Sequence, residues 1–340
     1  MKRYIKSLSI CILVLASLIL VSCGKSDEID DKAESKIILL ASGAIVENNN
    51  GEYNNFQYNN GKYSIVDEDE TVALYDYKSN NYISIKNGKY IANYNNKSTE
   101  LNEIGIYDNS FNLSPGGKYL SFFRNEEYNQ LHVLDMQSGK MIELKMKVSI
   151  SGKYIDWLDE DTLIYYGVKT EDKTNGIFIY DIESGKENLF LKINEGYIEF
   201  IKTLDNGIVY SLGDFEGEKQ LIKISPDGSD PEVLSTDIMK IYDIVELNGT
   251  YYILGNFKDT DYALYKLEDG VHRRLTYAYP TTVNIKKGLV KTDEGNILFI
   301  GSNNSEMTEE IYKVDEEGAV SLVQDGTNEI NFIRRYTING

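Results

Sequence analysis

The sequence predicts an all-β fold: a six-bladed β-propeller with four-stranded antiparallel blades, preceded by a signal peptide and a short flexible tether. Three observations carry this prediction. After Lys36 no apolar period of 3.6 residues is sustained; short runs of Ile, Val, Leu, Tyr and Phe alternate with Gly, Asn, Asp and Ser clusters. Four prolines and 27 tyrosines suit strands better than helices. Two turn marks recur in phase along the chain, as a ring of equal sheets requires.

The first mark follows an alternating strand that ends in an acidic-Gly turn. It reads "LHVLDMQSGK" at Leu131–Lys140 and "IFIYDIESGK" at Ile177–Lys186, and more faintly "LIKISPDGSD", "LYKLEDGVHR" and "IYKVDEEGAV". Its glycines, Gly88, Gly139, Gly185, Gly228, Gly270 and Gly318, are spaced by 51, 46, 43, 42 and 48 residues. A tight hairpin turn needs positive φ, which costs any other residue about 1 kcal/mol or more.

The second mark precedes a strongly apolar strand: "DEDETVALY", "SPGGKYLSFF", "LDEDTLIYYG", "LDNGIVYSLG", "LNGTYYILG" and "TDEGNILFIG". Measured at Glu70, Gly117, Asp161, Gly207, Gly249 and Gly295, it recurs after 47, 44, 46, 42 and 46 residues. Each period holds four strand-sized runs, the content of one blade.

The ends come next. Lys2, Arg3 and Lys6 precede an uncharged run, Ser7 to Ser22, of 16 residues. That is short for a membrane span, which needs roughly 20, and has the layout of an export signal. Residues 1–22 are thus expected to be a signal peptide, and 23–35, "CGKSDEIDDKAES", an acidic tether that cannot bury a core. Residues 36–340 are left for the propeller. Lys36–Val46 and Ile330–Ile338 lie outside the six units, and one or both should complete a blade with strands from opposite chain ends. Asn48–Tyr63, an Asn/Tyr-rich stretch, reads as a loop.

Composition excludes several chemistries. The two cysteines are Cys11, inside the signal, and Cys23, at its end. The processed domain therefore has no disulfide framework, thiolate nucleophile or Cys-ligated metal. Removing residues 1–22 leaves 32 basic residues against 54 acidic, a net charge of −22. Such a surface repels nucleic-acid phosphates and anionic headgroups, so no nucleic-acid partner is expected.

Two resemblances add to this reading. Leu20-Val21-Ser22-Cys23-Gly24 resembles the lipobox of bacterial lipoproteins. That resemblance implies cleavage before Cys23, lipidation of its thiol with palmitate-type acyl chains, and a membrane anchor facing outside the cytoplasm. The repeats resemble the TolB-type propeller family: "NLSPGGKYLSFF" with "LHVLDMQSGK" matches both halves of its unit, and "DWLDEDTLIYYG" with "IFIYDIESGK" nearly so. The later copies "LDNGIVY" and "LNGTYY" lack the Ser-Pro turn. Trp157 aligns with a family Trp expected to pack between blades.

Catalytic motifs are not found. The sequence has no G-x-S-x-G elbow, H-E-x-x-H, P-loop or G-x-G-x-x-G. His132 reads as a strand residue and His272 as an exposed one; neither cofactor nor metal is expected. "DEDE" (Asp67–Glu70) and "DED" (Asp159–Asp161) read as solvated turns at one shared blade position. The connections between second and third strands are "YKSNN", "NEEYNQ", "VKTEDKTNG", "GDFEGEK", "NFKDTD" and "SNNSEMTEE". They hold 12 acidic residues against five basic, an enrichment over the whole chain. Together with the inter-blade "TYAYPTT" they nominate a docking face: Glu126, Glu127, Tyr128, Asp214, Glu216, Glu218, Asp259, Asp261, Tyr277 and Tyr279. The expected function is a membrane-anchored, non-catalytic binding module for an extracytoplasmic protein, peptide or glycan. The alternatives are an envelope assembly scaffold and a propeller lactonase or lyase.

Overall fold

A computed structural model describes residues 43–47, 52–66, 70–105, 108–125, 129–303, 308–327 and 329–333. Among these residues the chain forms seven antiparallel sheets. Blade 1 joins β1 (Ala44–Glu47), β2 (Tyr53–Asn59) and β3 (Lys62–Val66) to β29 (Ile330–Phe332). Blade 2 comprises β4 (Thr71–Asp76), β5 (Asn81–Lys86), β6 (Lys89–Tyr94) and β7 (Lys97–Glu100). Blade 3 comprises β8 (Asp108–Leu113), β9 (Tyr119–Asn125), β10 (Asn129–Asp135) and β11 (Lys140–Ile142). In blade 4 the strands are β12 (Val148–Trp157), β13 (Thr162–Lys169), β14 (Asn175–Asp181) and β15 (Lys186–Lys192). Blade 5 follows with β16 (Tyr197–Leu204), β17 (Gly207–Gly213), β18 (Lys219–Ile224) and β19 (Glu232–Ser235). Blade 6 has β20 (Ile238–Leu247), β21 (Thr250–Phe257), β22 (Ala263–Glu268) and β23 (Val271–Arg274). In blade 7 the first strand is broken into β24 (Thr282–Val283) and β25 (Leu289–Lys291), both paired with β26 (Ile297–Ser302), and β27 (Glu309–Val314) and β28 (Val320–Thr327) follow.

The predicted propeller of four-stranded antiparallel blades is present, and blades 2 to 7 stand on the six repeats. The chain ends add a blade of their own. There β1 lies between β2 and β29, pairing Ala44 with Phe56 on one side and Phe332 on the other. The ring thus holds one sheet more than the six marks count.

The apolar strands are explained by what each face meets. Among the described residues seven clusters of buried side chains occur, each spanning one blade boundary, from blades 2 and 3 round to blades 1 and 2. Along β9, Phe122 points to the cluster shared with blade 2 and Phe123 to the one shared with blade 4. Along β13, Leu163 and Tyr165 face blade 3, while Ile164 and Tyr166 face blade 5. A second strand packed on both faces has no polar alternation, which is why these strands read as unbroken apolar runs. Each such side chain contributes about 1.5–3 kcal/mol by leaving water. Trp157 packs between blades as expected: it is fully buried, stacks on Tyr119 at 6.0 Å, and donates Nε1–H to the Asn112 carbonyl at 3.0 Å.

Three local expectations are corrected. Asn48–Tyr63 is not a loop: its described part forms β2 and enters β3 through a turn at Asn60 and Gly61, with φ of 50° and 81°. Its tyrosines are the core face, since Tyr58 and Tyr63 are buried with rings 5.5 Å apart. Both marks slip in blade 2: Glu70 precedes β4, and Gly88 joins β5 to β6. Hairpins with positive φ occur twice there, at Asn87-Gly88 and at Asn95-Asn96, so one glycine does not identify the turn. "YKSNN" therefore links first and second strands, and "DEDE" does not share the turn position of "DED". His272 is half-buried rather than exposed, stacked on Phe257 at 4.0 Å. His132 does lie mid-strand, in β10, stacked on Phe122 at 5.7 Å.

Candidate binding face

Antiparallel strands send connections alternately to the two ends of a blade. The second-to-third-strand loops and the inter-blade connections therefore share one face of the ring. In blades 5 and 6 these segments meet around a cavity of about 330 Å³, lined by Glu218, Lys219, Asp237, Met239, Lys258 and Asp259 among others.

The loop from β17 to β18 is held by Asp214, whose Oδ1 accepts the N–H of Glu216 and of Glu218, both at 2.9 Å. This Asx-type turn leaves Phe215 at its tip, 87% exposed, with its ring 6.0 Å from Tyr197. Glu218 pairs with Lys258 at 3.5 Å, tying this loop to the β21–β22 loop of blade 6. In that second loop Asp261 pairs with Arg274 at 3.3 Å, and the Arg274 guanidinium lies over the Tyr277 ring at 5.3 Å. Tyr262, half exposed, meets Tyr242 edge-on at 5.7 Å. Burial, and then the neighbouring Tyr262 hydroxyl, raises the Tyr242 pKa above the usual phenol value. Tyr279, followed by a cis bond to Pro280, packs edge-on against Tyr312 at 5.3 Å.

Seven of the sequence-nominated residues, Asp214, Glu216, Glu218, Asp259, Asp261, Tyr277 and Tyr279, thus lie on one strip over blades 5 to 7. Cys23, Glu126, Glu127 and Tyr128 lie outside the described residues. Sequence reasoning missed Phe215, Met239 and Tyr262. The signal was legible for Phe215, a large apolar residue inside the otherwise polar "GDFEGEK" turn.

The opposite face opens onto the axis, where the ends of the first strands enclose about 340 Å³ lined by Asp76, Lys78, Lys202, Asp205, Glu246 and Lys291. Its charges are largely matched: Lys291 pairs with Asp205 at 2.8 Å, and Lys202 with Asp243 at 2.5 Å. Other carboxylates serve turns. Asp159 accepts the N–H of Asp161 and Thr162, at 2.9 and 2.7 Å, and Asp161 pairs with Lys118 at 2.7 Å. Among the described residues no cluster of three His, Cys, Asp or Glu side chains could hold a metal ion, and no helix is long and apolar enough to cross a membrane.

No protein-family model and no curated protein sequence matches the chain. Among solved structures it is similar to an oligogalacturonate lyase in complex with manganese, with a TM-score of 0.57 and 10% identity over 84% of this chain and 86% of that one. It is similar to dipeptidyl peptidase 4 of Porphyromonas gingivalis, with a TM-score of 0.48 and 14% identity over 83% of this chain and 53% of the peptidase. TolB from Acinetobacter baumannii gives a TM-score of 0.46 and 10% identity over 78% of this chain and 66% of TolB. The chain spans about half the peptidase and just under two thirds of TolB. At 10% identity the likeness to the lyase shows the fold alone.

Proposed function

We propose that this chain is a membrane-anchored extracytoplasmic lipoprotein, lipidated at Cys23, whose propeller is a non-catalytic binding module for a protein, peptide or glycan partner. The observation that carries the binding reading is the strip over blades 5 to 7. It places Phe215, Tyr262, Tyr277 and Tyr279 in solvent on one face, among Asp214, Glu216, Glu218, Asp259 and Asp261. Rigid aromatics anchor interfaces at low entropic cost, and an otherwise well-packed fold gains nothing from exposing them. The lipid reading rests on the Leu20-to-Gly24 motif and on a net charge that would not hold the chain to an anionic bilayer.

Photo-crosslinking from intact cells, with a crosslinker at Tyr277, tests the binding reading. A discrete adduct that disappears when Phe215 and Tyr262 are both changed to Ser supports it; no adduct at this face overturns it. Membrane fractionation of Cys23→Ser tests the anchor, which predicts release of the chain from the membrane fraction. Turnover of lactones or oligogalacturonides by the purified chain would overturn the non-catalytic part.

A further inference from the structure

The cavity between blades 5 and 6 has a one-sided chemistry. Its two lysines are already engaged: Lys219 with Glu199 at 2.5 Å and with the Met239 carbonyl at 2.9 Å, Lys258 with Glu218 at 3.5 Å. The last pair is long and exposed, so an incoming cation can compete for Glu218. Asp237 and Asp259, also on the lining, make no ion pair among the described residues, nor do Asp214 and Glu216 beside them. In the wall, the Asn256 amide turns its Nδ2 toward the Thr260 carbonyl at 3.5 Å, which leaves Oδ1 as an acceptor with no partner. Met239, partly exposed, supplies an apolar rim.

Carboxylates and a spare acceptor round an opening far larger than a metal ion suit an organic cation with an apolar stem. A lysine or arginine side chain has that shape: the methylenes lie along Met239, and the head reaches the carboxylates. We propose that this cleft seats a Lys or Arg of a basic, aromatic-containing segment of a partner protein, which then runs along the strip toward Tyr277. This deepens the binding reading above and rests on it; charge complementarity selects a basic protein segment over an acidic peptide, a membrane surface or a neutral glycan.

The test uses the full-length chain in neutral detergent and two fluorescein-labelled synthetic peptides. One alternates Arg, Lys and Phe with Gly; the other has Glu in place of every basic residue. Fluorescence anisotropy should show binding of the first only, weakened at least tenfold by Glu218→Lys with Asp259→Lys, and about fivefold by Met239→Ser. Asp293→Lys with Glu317→Lys changes net charge equally on the opposite face and should leave the affinity within twofold. Should the first pair lower the melting temperature, Glu218→Gln with Asp259→Asn replaces it, with at least threefold weakening expected. Equal weakening by both lysine pairs, binding of the acidic peptide, or no binding of the basic one would overturn the inference. A crosslinked partner that is neutral or acidic at the contact overturns it too while leaving the broader binding reading standing; absence of any adduct defeats both.

Discussion

Asp243 on β20 of blade 6 accepts the backbone N–H of Leu289, on β25 of blade 7, through Oδ2 at 2.8 Å, so a fully buried carboxylate stitches two sheets at a blade boundary. Its Oδ1 takes the Lys202 ammonium of blade 5 at 2.5 Å, which joins three consecutive blades in one contact. Asp156 does the same for blades 3, 4 and 5, accepting from Asn112 at 2.9 Å and from the Thr203 N–H at 2.7 Å. Side-chain acceptors on the first strands supply partners for backbone donors that no ladder reaches.

Asp243→Ala should therefore destabilise the chain by about 3–5 kcal/mol, because it strands the Lys202 charge in a nearly buried site as well as an unpaired N–H. Asp156→Ala leaves no buried charge behind and should cost less. Adding Lys202→Met to Asp243→Ala should recover part of the loss. Urea unfolding of the three variants decides it; equal costs for the two aspartates would contradict this account.

Gly117, at the end of a 3-10 turn, and Gly249, in a two-residue hairpin, both join first to second strands with positive φ, of 70° and 78°, yet differ in surroundings. A Cβ on Gly117 would lie 2.6 Å from the Asn81 Cβ of blade 2, whereas one on Gly249 would meet nothing within 4 Å. Gly249→Ala should cost about 1 kcal/mol, the strain of positive φ alone. Gly117→Ala should cost at least twice as much, since blades 2 and 3 must also move apart. Thermal melts of both variants check the ratio.

Blade 1 should be sensitive to acid. Glu329 accepts from the Tyr53 hydroxyl at 2.6 Å, from Asn331 at 3.0 Å and from Lys287 at 3.0 Å. These bonds, the Tyr53 one foremost, hold its pKa down to about 2. With the folded value below the unfolded one of about 4.3, the stabilisation is complete above pH ~4.3 and disappears as pH falls toward 2. Solvent exposure of the pair with Lys287 reduces its size. Glu329→Gln should flatten the stability profile across that window, measured by urea midpoints from pH 5 to 2, and an unchanged profile would contradict the assignment.

Closure of the ring can be tested at Phe332. Its buried ring packs with Ala44, Tyr58 and Val290, from both chain ends and blade 7. Phe332→Ala should cost about 3–4 kcal/mol. Hydrogen exchange should then rise in β1 before it rises in blades 3 to 5.

The sequence by itself determined the repeat, the strand content of each unit and the turn positions in blades 3 to 7. It could do so because period-2 apolar patterning and positive-φ glycines are local requirements that leave a local trace. It also nominated seven of the strip residues, through the excess of acids and tyrosines in turns. Only the tertiary structure decided that the Asn/Tyr-rich stretch is two strands, since Tyr58 and Tyr63 become core residues only when blades 1 and 7 meet. Ring closure likewise pairs β1 with a strand almost 300 residues away, and no local pattern encodes that partner. The candidate cleft was invisible for the same reason: Glu218 and Asp259 lie about 40 residues apart and become neighbours because one blade-length of chain returns each loop to the same face.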